Sequence, residues 1–243
     1  MANWQDPRMT SADTVTVGVP SVARDAGLRS YMLKVYNYMA SGVLLTGIIA
    51  MLFANSGMAA QVFSGGGILP WVIILSPLAI VMVMSFGQNR MSAATLQLLF
   101  WGFAALMGLS MSTIFLIYTG TSIAQTFFAV TAAFAGLSLY GYTTKKDLSG
   151  LGTFLIMGVV GLLVAMLVNL WLQSSAMSLA ISAIGVLLFA GLTAYDTQRI
   201  KSMYFQIQGT EMLGKAAILG ALSLYLDFIN MFQFLLSFMG DRR

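Results

Sequence analysis

The stretch from Lys215 to Met239, KAAILGALSLYLDFINMFQFLLSFM, decides the fold because it is long and apolar yet carries one carboxylate, Asp227. A hydrocarbon core of about 30 Å needs about 20 helical residues, so this stretch is long enough to cross a bilayer. Asp227 lies 12 residues after Lys215. That separation corresponds to about 18 Å along a helix, past the middle of the hydrocarbon. The stretch therefore predicts a membrane helix whose acidic side chain does not face lipid.

Six more apolar runs precede this stretch. They lie near residues 32–54, 68–86, 96–118, 122–142, 152–172 and 176–196. With 58% hydrophobic and only 8% charged residues, the composition excludes a soluble domain. We therefore predict an all-α polytopic membrane protein with seven transmembrane helices in residues 31–243. Residues 1–30 are polar and are predicted to form a disordered cytoplasmic tail.

The positions of lysine and arginine predict the orientation in the membrane. Segments 55–67, 119–121 and 173–175 carry no Lys or Arg, whereas the N-terminal tail and the intervening links do. The basic residues of those links are Arg90, Lys145, Lys146, Arg199 and Lys201. This alternation predicts a cytoplasmic N-terminus and gives no reason to expect nucleic-acid binding. Only Arg242 and Arg243 do not fit this alternation. Seven full spans place them outside the cytoplasm, whereas a re-entrant last segment keeps them inside it.

The chain contains no cysteine and no histidine, so any pH-dependent chemistry near neutrality must come from carboxylates. Asp196 ends the sixth apolar run, and Asp227 lies within the seventh. If the two carboxyls approach each other, repulsion and removal from water favour one shared proton, which makes the pair a pH switch. Tyr195, Tyr225 and Asn230 are expected to support the pair as polar neighbours.

A structural alternative stays open for both aspartates. Each carboxyl would then be satisfied by a helix terminus, by a neighbouring hydroxyl or by Arg199, one helical turn beyond Asp196.

Three motifs resemble the Bax inhibitor-1 family of membrane proteins, and the chain resembles a bacterial member from about residue 30 to residue 240. The motifs are KKDLS at 145–149, YDTQRI at 195–200 and ALSLYLDFIN at 221–230. The resemblance implies six helices around a central seventh, with Asp196 and Asp227 hydrogen-bonded as a pH sensor. It further implies that the protein is a pH-dependent calcium leak channel. Eukaryotic relatives in this family are described as suppressors of cell death. Arg90 is the expected latch of the closed state, so Arg90→Ala is expected to raise the resting leak.

The resemblance and the residues together give the following expectations for ligands and partners. Calcium prefers oxygen ligands, so Asp196 and Asp227 are expected to bind it transiently as the transported ion. Two carboxylates are too few to bind calcium tightly. No cofactor and no enzymatic activity are expected, and the setting is the lipid bilayer of a bacterial plasma (inner) membrane.

Two other functions are alternatives. One is non-catalytic regulation of a membrane-bound ATP-dependent protease, a role for which the N-terminal tail would serve. The other is an intramembrane aspartyl protease, since Tyr195 and Asp196 resemble the first motif of presenilin-like enzymes. The second motif of those enzymes is absent, because Leu224, Tyr225 and Leu226 precede Asp227 in place of Gly-x-Gly.

Overall fold

The computed structural model describes the backbone from Ser21 and the side chains from Asp25, in both cases to the C-terminus. Within these residues the chain forms nine helices. They are α1 (Ser21–Asn55), α2 (Met58–Ser64), α3 (Leu69–Gly87), α4 (Ala93–Met111), α5 (Thr113–Ile117), α6 (Gly120–Thr143), α7 (Ser149–Leu172), α8 (Ser175–Ile207) and α9 (Met212–Met239). Seven segments are long and apolar enough to cross a bilayer, with α4 and α5 forming one span and α2 lying in a link. The predicted seven-helix polytopic fold is confirmed.

Short polar residues start several of these helices where the sequence leaves an apolar run. The side chains of Ser92, Thr119 and Ser174 accept hydrogen bonds from backbone N–H groups three residues ahead, at the starts of α4, α6 and α8. Each bond satisfies one of the N–H groups that a first helical turn leaves unpaired. The starts of these three helices are therefore encoded locally, and they lie within three residues of the starts of the corresponding apolar runs.

Helix α9 lies at the centre of the bundle, as the predicted arrangement of six helices around a seventh requires. It packs against α1, α4, α6 and α8, whereas α3 packs on α4 and α7 packs on α8. Of the residues in the most apolar 18-residue window of α9, 61% are buried, against 17% for α3 and for α7. The last helix therefore forms the core of the protein, and α3 and α7 face lipid along most of their surface.

The C-terminus settles whether the seventh helix crosses the membrane completely. The N–H of Thr119 donates to the carbonyl oxygen of Asp241 at 3.1 Å, and the N–H of Arg243 donates to Ile117 at 2.9 Å. These bonds fix the chain end beside the link between the third and fourth spans, at the far side from the start of α9. The structure therefore favours seven full spans over the re-entrant alternative.

The links between the spans define two ends of the bundle, which we call the inner end and the outer end. The inner end holds the links 88–92, 144–148 and 208–211, and the outer end holds the links 56–68, 118–119 and 173–174 together with the C-terminus.

Two helices extend beyond the predicted limits. Helix α1 begins at Ser21, earlier than the boundary predicted at residue 31, and the side chain of Leu28 is already buried in the core. Residues 1–20 of the predicted tail lie outside the described residues. Helix α8 continues to Ile207, so Asp196 lies inside this helix and not at its end as predicted. The extension is held by Ile200 and Tyr204, which are buried although the run is no longer uniformly apolar.

Candidate functional site

Helices α8 and α9 pack together and bring Asp196 and Asp227 into one region of the bundle. Asp227 is 4% exposed in the central helix, whereas Asp196 is half-buried. The charge of Asp196 acts on Asp227, so the two carboxyls are near enough to repel each other when both are ionised. The fold therefore brings both motifs into one region of the bundle, but no hydrogen bond joins the two carboxyls within residues 25–243, and their role as a pH sensor stays a prediction.

The carboxyl of Asp227 is incompletely satisfied. Within residues 25–243, no hydrogen-bond donor reaches its Oδ2 atom, which is buried from solvent. A buried polar atom without a partner costs about 1–3 kcal/mol, and more if it is charged. Such an atom is uncommon in a well-packed core, so this carboxyl is unlike the polar groups that serve packing alone.

A cavity of about 410 Å³ opens at the inner end between α3, α8 and α9, and we call it the inner cavity. Its polar and charged lining consists of Ser85, Gln88, Asp196, Arg199, Lys215 and Ser223. Asp196 lines this cavity, whereas Asp227, one helical turn beyond Ser223, does not. The pair therefore has one carboxyl on the cavity wall and one behind it.

Basic residues reach the inner cavity from α8 and α9. Arg199 is exposed, and its charge acts on the carboxyl of Asp196. Lys215 lines the same cavity from the first turn of α9. Arg90 is exposed in the turn after α3 and does not belong to the cavity lining formed by the described residues. The structure thus places two basic side chains in the lining of the cavity that Asp196 also lines, and neither of them is the expected latch.

The polar neighbours predicted for the aspartates make other bonds. The hydroxyl of Tyr225 lies 2.6 Å from Oγ1 of Thr46 in α1, and this oxygen in turn donates to the carbonyl of Ala104 at 2.8 Å. The side-chain amide of Asn230 donates to the carbonyl of Leu226 at 2.8 Å. These bonds fasten α9 to α1 and α4 and cap a carbonyl beside Asp227.

Tyr195 and Gln198 face the link between α6 and α7. Tyr195 is half-buried and lines a small cleft there, together with Lys145 and Lys146. The amide of Gln198 accepts from the N–H of Leu148 and donates to the carbonyl of Lys146, both at 2.8 Å. A residue close to Asp196 in sequence thereby fixes the basic link to α8 by two hydrogen bonds.

The same link contains Asp147, which lies outside the membrane-spanning segments. Hydrogen bonds from the side chain and the backbone N–H of Ser149 hold the pKa of Asp147 below its ordinary value. The carboxylate stabilises the start of α7 from an exposed position. It is therefore a structural carboxylate, unlike Asp227.

Sequence reasoning missed Thr46, Ser85, Gln88, Lys215 and Ser223 as members or neighbours of the site. A signal was available for Ser223, because it lies four residues before Asp227 and so on the same face of α9. Thr46 lies 179 residues before Tyr225 in the chain, and no local pattern links the two.

Comparisons with known proteins add the following findings. Residues 28–243 match the family model described as "Inhibitor of apoptosis-promoting Bax1". The Inner membrane protein YbhL of Escherichia coli is 47% identical over 220 residues, which covers 90% of this chain and 94% of that protein. The uncharacterized protein RP147 of Rickettsia prowazekii is 47% identical over 230 residues, which covers 95% and 97%. An uncharacterized protein of Caulobacter vibrioides is 46% identical over 230 residues, which covers 90% and 91%.

Proposed function

Since the chain belongs to the Bax inhibitor-1 family, we propose that it is an inner-membrane protein through which calcium leaks at a rate set by the protonation of Asp196 and Asp227. The location rests on the seven spans and on the name of the Escherichia coli relative. The inner end faces the cytoplasm in this proposal, because its links and the adjoining turns of α8 and α9 carry most of the basic residues outside the N-terminal segment. They are Arg90, Lys145, Lys146, Arg199, Lys201 and Lys215.

The observation that carries the proposal is the unpartnered Oδ2 of Asp227, buried in the central helix and acted on by Asp196. A carboxyl in this setting gains a partner in one of two ways. It shares a proton with Asp196, or it attracts a cation. Competition between a proton and calcium for the same oxygens makes the flux depend on pH, since protonation removes the charge that attracts the ion.

The inner cavity supplies the approach to this pair from the inner end. Asp196 on its wall offers oxygen to calcium, while Arg199 and Lys215 oppose the accumulation of a divalent cation. Within the described residues, no group of three or more Asp, Glu, His or Cys side chains comes together as a metal site. This distribution suits an ion that binds briefly and leaves, which a leak requires.

The position of Asp227 does not favour the intramembrane aspartyl protease. A peptide-cleaving dyad needs both carboxyls to reach one water and an extended substrate, and Asp227 lies behind the cavity wall. The regulatory role depends on the predicted tail of residues 1–30, of which residues 1–20 lie outside the described residues, and it stays a prediction. The latch role of Arg90 also stays a prediction.

The test is calcium flux into liposomes that contain the purified protein, measured from pH 6 to pH 8. We expect the wild-type flux to fall as the pH is lowered, because protons displace calcium from the pair. Asp196→Asn and Asp227→Asn are expected to lower the flux at pH 8 by about tenfold and to flatten its pH profile, as a lost charge–charge contact of about 1.4 kcal/mol predicts.

Asp147→Asn is the matched control, because it removes one carboxylate from the inner end without touching the pair. Its flux and pH profile should follow the wild type. A flux that does not change with pH and is the same in both aspartate variants would refute the proposal.

A further inference from the structure

A second cavity lies at the outer end, between α7, α8 and α9, and we call it the outer groove. Its volume is about 690 Å³. Its polar lining consists of Asn169, Ser178, Ser182, Asn230, Gln233 and Ser237. Two pairs of these side chains are hydrogen-bonded to each other, Asn169 to Ser178 at 2.7 Å and Ser182 to Ser237 at 3.1 Å. Gln233 is exposed in this groove, and a side-chain amide that faces lipid is costly unless water or a polar ligand reaches it.

The polar side chains of α9 form one stripe from the inner cavity to this groove. Ser223, Asp227, Asn230, Gln233 and Ser237 follow one another at intervals of three or four residues, so they share one face of the helix. Ser223 lines the inner cavity, and the last three line the outer groove. Asp227 is the member of the stripe that lines neither.

The barrier between the two cavities is about one helical turn long on α9 and about two turns long on α8, where it runs from Phe189 to Asp196. On α9 the inner cavity ends at Leu226 and the outer groove begins at Asn230, four residues later. Four residues span about 6 Å along a helix axis. On α9, the turn that carries Asp227 therefore lies between the two cavities, and this carboxyl lines neither of them.

We propose that the outer groove is the outer half of the ion path, in which a hydrated divalent cation is received by the side-chain oxygens of Gln233 and Asn230 before it reaches Asp227. This inference rests on the proposed function, and it adds the route and the residues of the outer half.

The chemistry of the groove fits passage of the ion. The amide nitrogen of Asn230 already donates to the carbonyl of Leu226, so its oxygen is the atom that can ligate a cation. Amide and hydroxyl oxygens bind calcium without a charge, hence weakly. Ser182 and Ser237 lie farther out than Asn230 and continue the oxygen lining toward the outer end. An uncharged approach followed by one carboxylate lets the ion enter and also leave.

The absence of cysteine from the chain makes the test direct. Single variants Asn230→Cys and Gln233→Cys are reconstituted in liposomes and exposed on both faces to a thiol reagent that carries a fixed positive charge. Such a reagent enters water-filled spaces but not hydrocarbon. We expect both cysteines to react at least about tenfold faster than cysteines that face lipid at a similar depth, and labelling of Gln233→Cys to lower calcium flux at least about threefold.

Val164→Cys and Ile184→Cys are the matched lipid-facing controls. Val164 is 56% exposed and Ile184 is 51% exposed, and neither lines the outer groove. Each lies about 12–14 Å from the outer end of its helix, and Asn230 lies at a similar distance from the end of α9.

The outcomes separate the two proposals. If Asn230→Cys and Gln233→Cys react as slowly as the controls while wild-type flux depends on pH and on the aspartates, lipid fills the groove and the outer route is wrong. If the groove is labelled but the protein carries no calcium, the proposed function fails and the ion route fails with it. Fast labelling that blocks a pH-dependent flux supports both.

Discussion

Helices α7 and α9 are both long and apolar, but they occupy opposite environments. The most apolar window of α7 has a mean hydropathy of 2.6 and is 17% buried, whereas the corresponding window of α9 has a mean hydropathy of 1.5 and is 61% buried. In a soluble protein the more hydrophobic helix would be expected inside. Here the less hydrophobic helix is inside, because lipid solvates apolar side chains as well as a protein core does and cannot solvate polar ones.

This difference shows what holds the bundle together. Burial of an apolar side chain from lipid gains little transfer free energy, so stability depends on close packing and on hydrogen bonds between helices. Helix α9 supplies both, through its small residues Ala217, Gly220 and Ala221 and through the bond from Tyr225 to Thr46. Helix α7 needs neither over most of its surface.

The largest loss of stability is expected when the ring of Tyr225, which α9 places in the core, is removed. The ring of Tyr225 is fully buried and lies edge-on to those of Phe103 and Phe100, with centroid distances of 5.0 and 6.2 Å. Tyr225→Ala leaves a cavity that the neighbouring helices cannot fill, and we expect a loss of roughly 3–5 kcal/mol in the free energy of unfolding. Thermal unfolding of the protein in lipid nanodiscs measures this loss.

Phe154→Ala on α7 is the matched control, because its ring is 68% exposed toward lipid. Lipid chains replace the lost ring, so its unfolding temperature should stay close to that of the wild type. Equal losses in the two variants would mean that α9 is not the structural centre.

The sequence predicted the seven spans because hydropathy and short polar caps are local signals. It also marked α9 as unusual through Asp227, a charge too deep to face lipid. It could not show that α8 continues to Ile207, since hydropathy falls at Asp196 where the helix does not end. A membrane helix that leaves the hydrocarbon is held by tertiary contacts, here those of Ile200 and Tyr204.

The candidate site was predictable to a smaller extent. Asp196 and Asp227 could be found because a carboxyl in an apolar run is rare and each stood in a motif. The roles of Thr46 and Lys215 depend on which helices become neighbours, and no pattern within one helix contains that information. The same reason explains why Tyr225, expected beside the aspartates, bonds to α1 instead.

A second, smaller loss of stability is expected where α6 contacts the backbone of α8. In α6, a Cβ atom at Gly141 would overlap the carbonyl oxygen of Ala194 in α8, whereas one at Gly136 would meet nothing within 4 Å. Because a backbone carbonyl cannot rotate away, Gly141→Ala must push α6 and α8 apart. We expect it to cost roughly 1–3 kcal/mol, and Gly136→Ala to be neutral or slightly stabilising.

Unfolding of the two alanine variants under the same conditions compares the two faces of one helix. A wild-type unfolding temperature for Gly141→Ala would show that α6 and α8 are not in backbone contact.

The smallest effect concerns the hydrogen bond that ties α9 to α1. The single hydroxyl proton of Thr46 goes to the carbonyl of Ala104, so Tyr225 must be the donor in the bond between the two hydroxyls. Tyr225→Phe therefore removes one bond and leaves no donor unsatisfied, and we expect a loss of about 0.6–1.7 kcal/mol. Thr46→Val removes both bonds and leaves the Tyr225 hydroxyl without a partner, so it should cost more.

The double variant isolates the contribution of the bond itself. Once Phe stands at 225, Thr46→Val leaves no hydroxyl without a partner, so the two single losses together should exceed the loss of the double variant by about the energy of the shared bond. Tyr140→Phe is the control variant. The ring of Tyr140 is 46% exposed, and within the described residues its hydroxyl makes no hydrogen bond to another helix. Strict additivity of the two single losses would mean that the bond between Tyr225 and Thr46 adds nothing to stability and that packing alone holds α9 to α1 at this point.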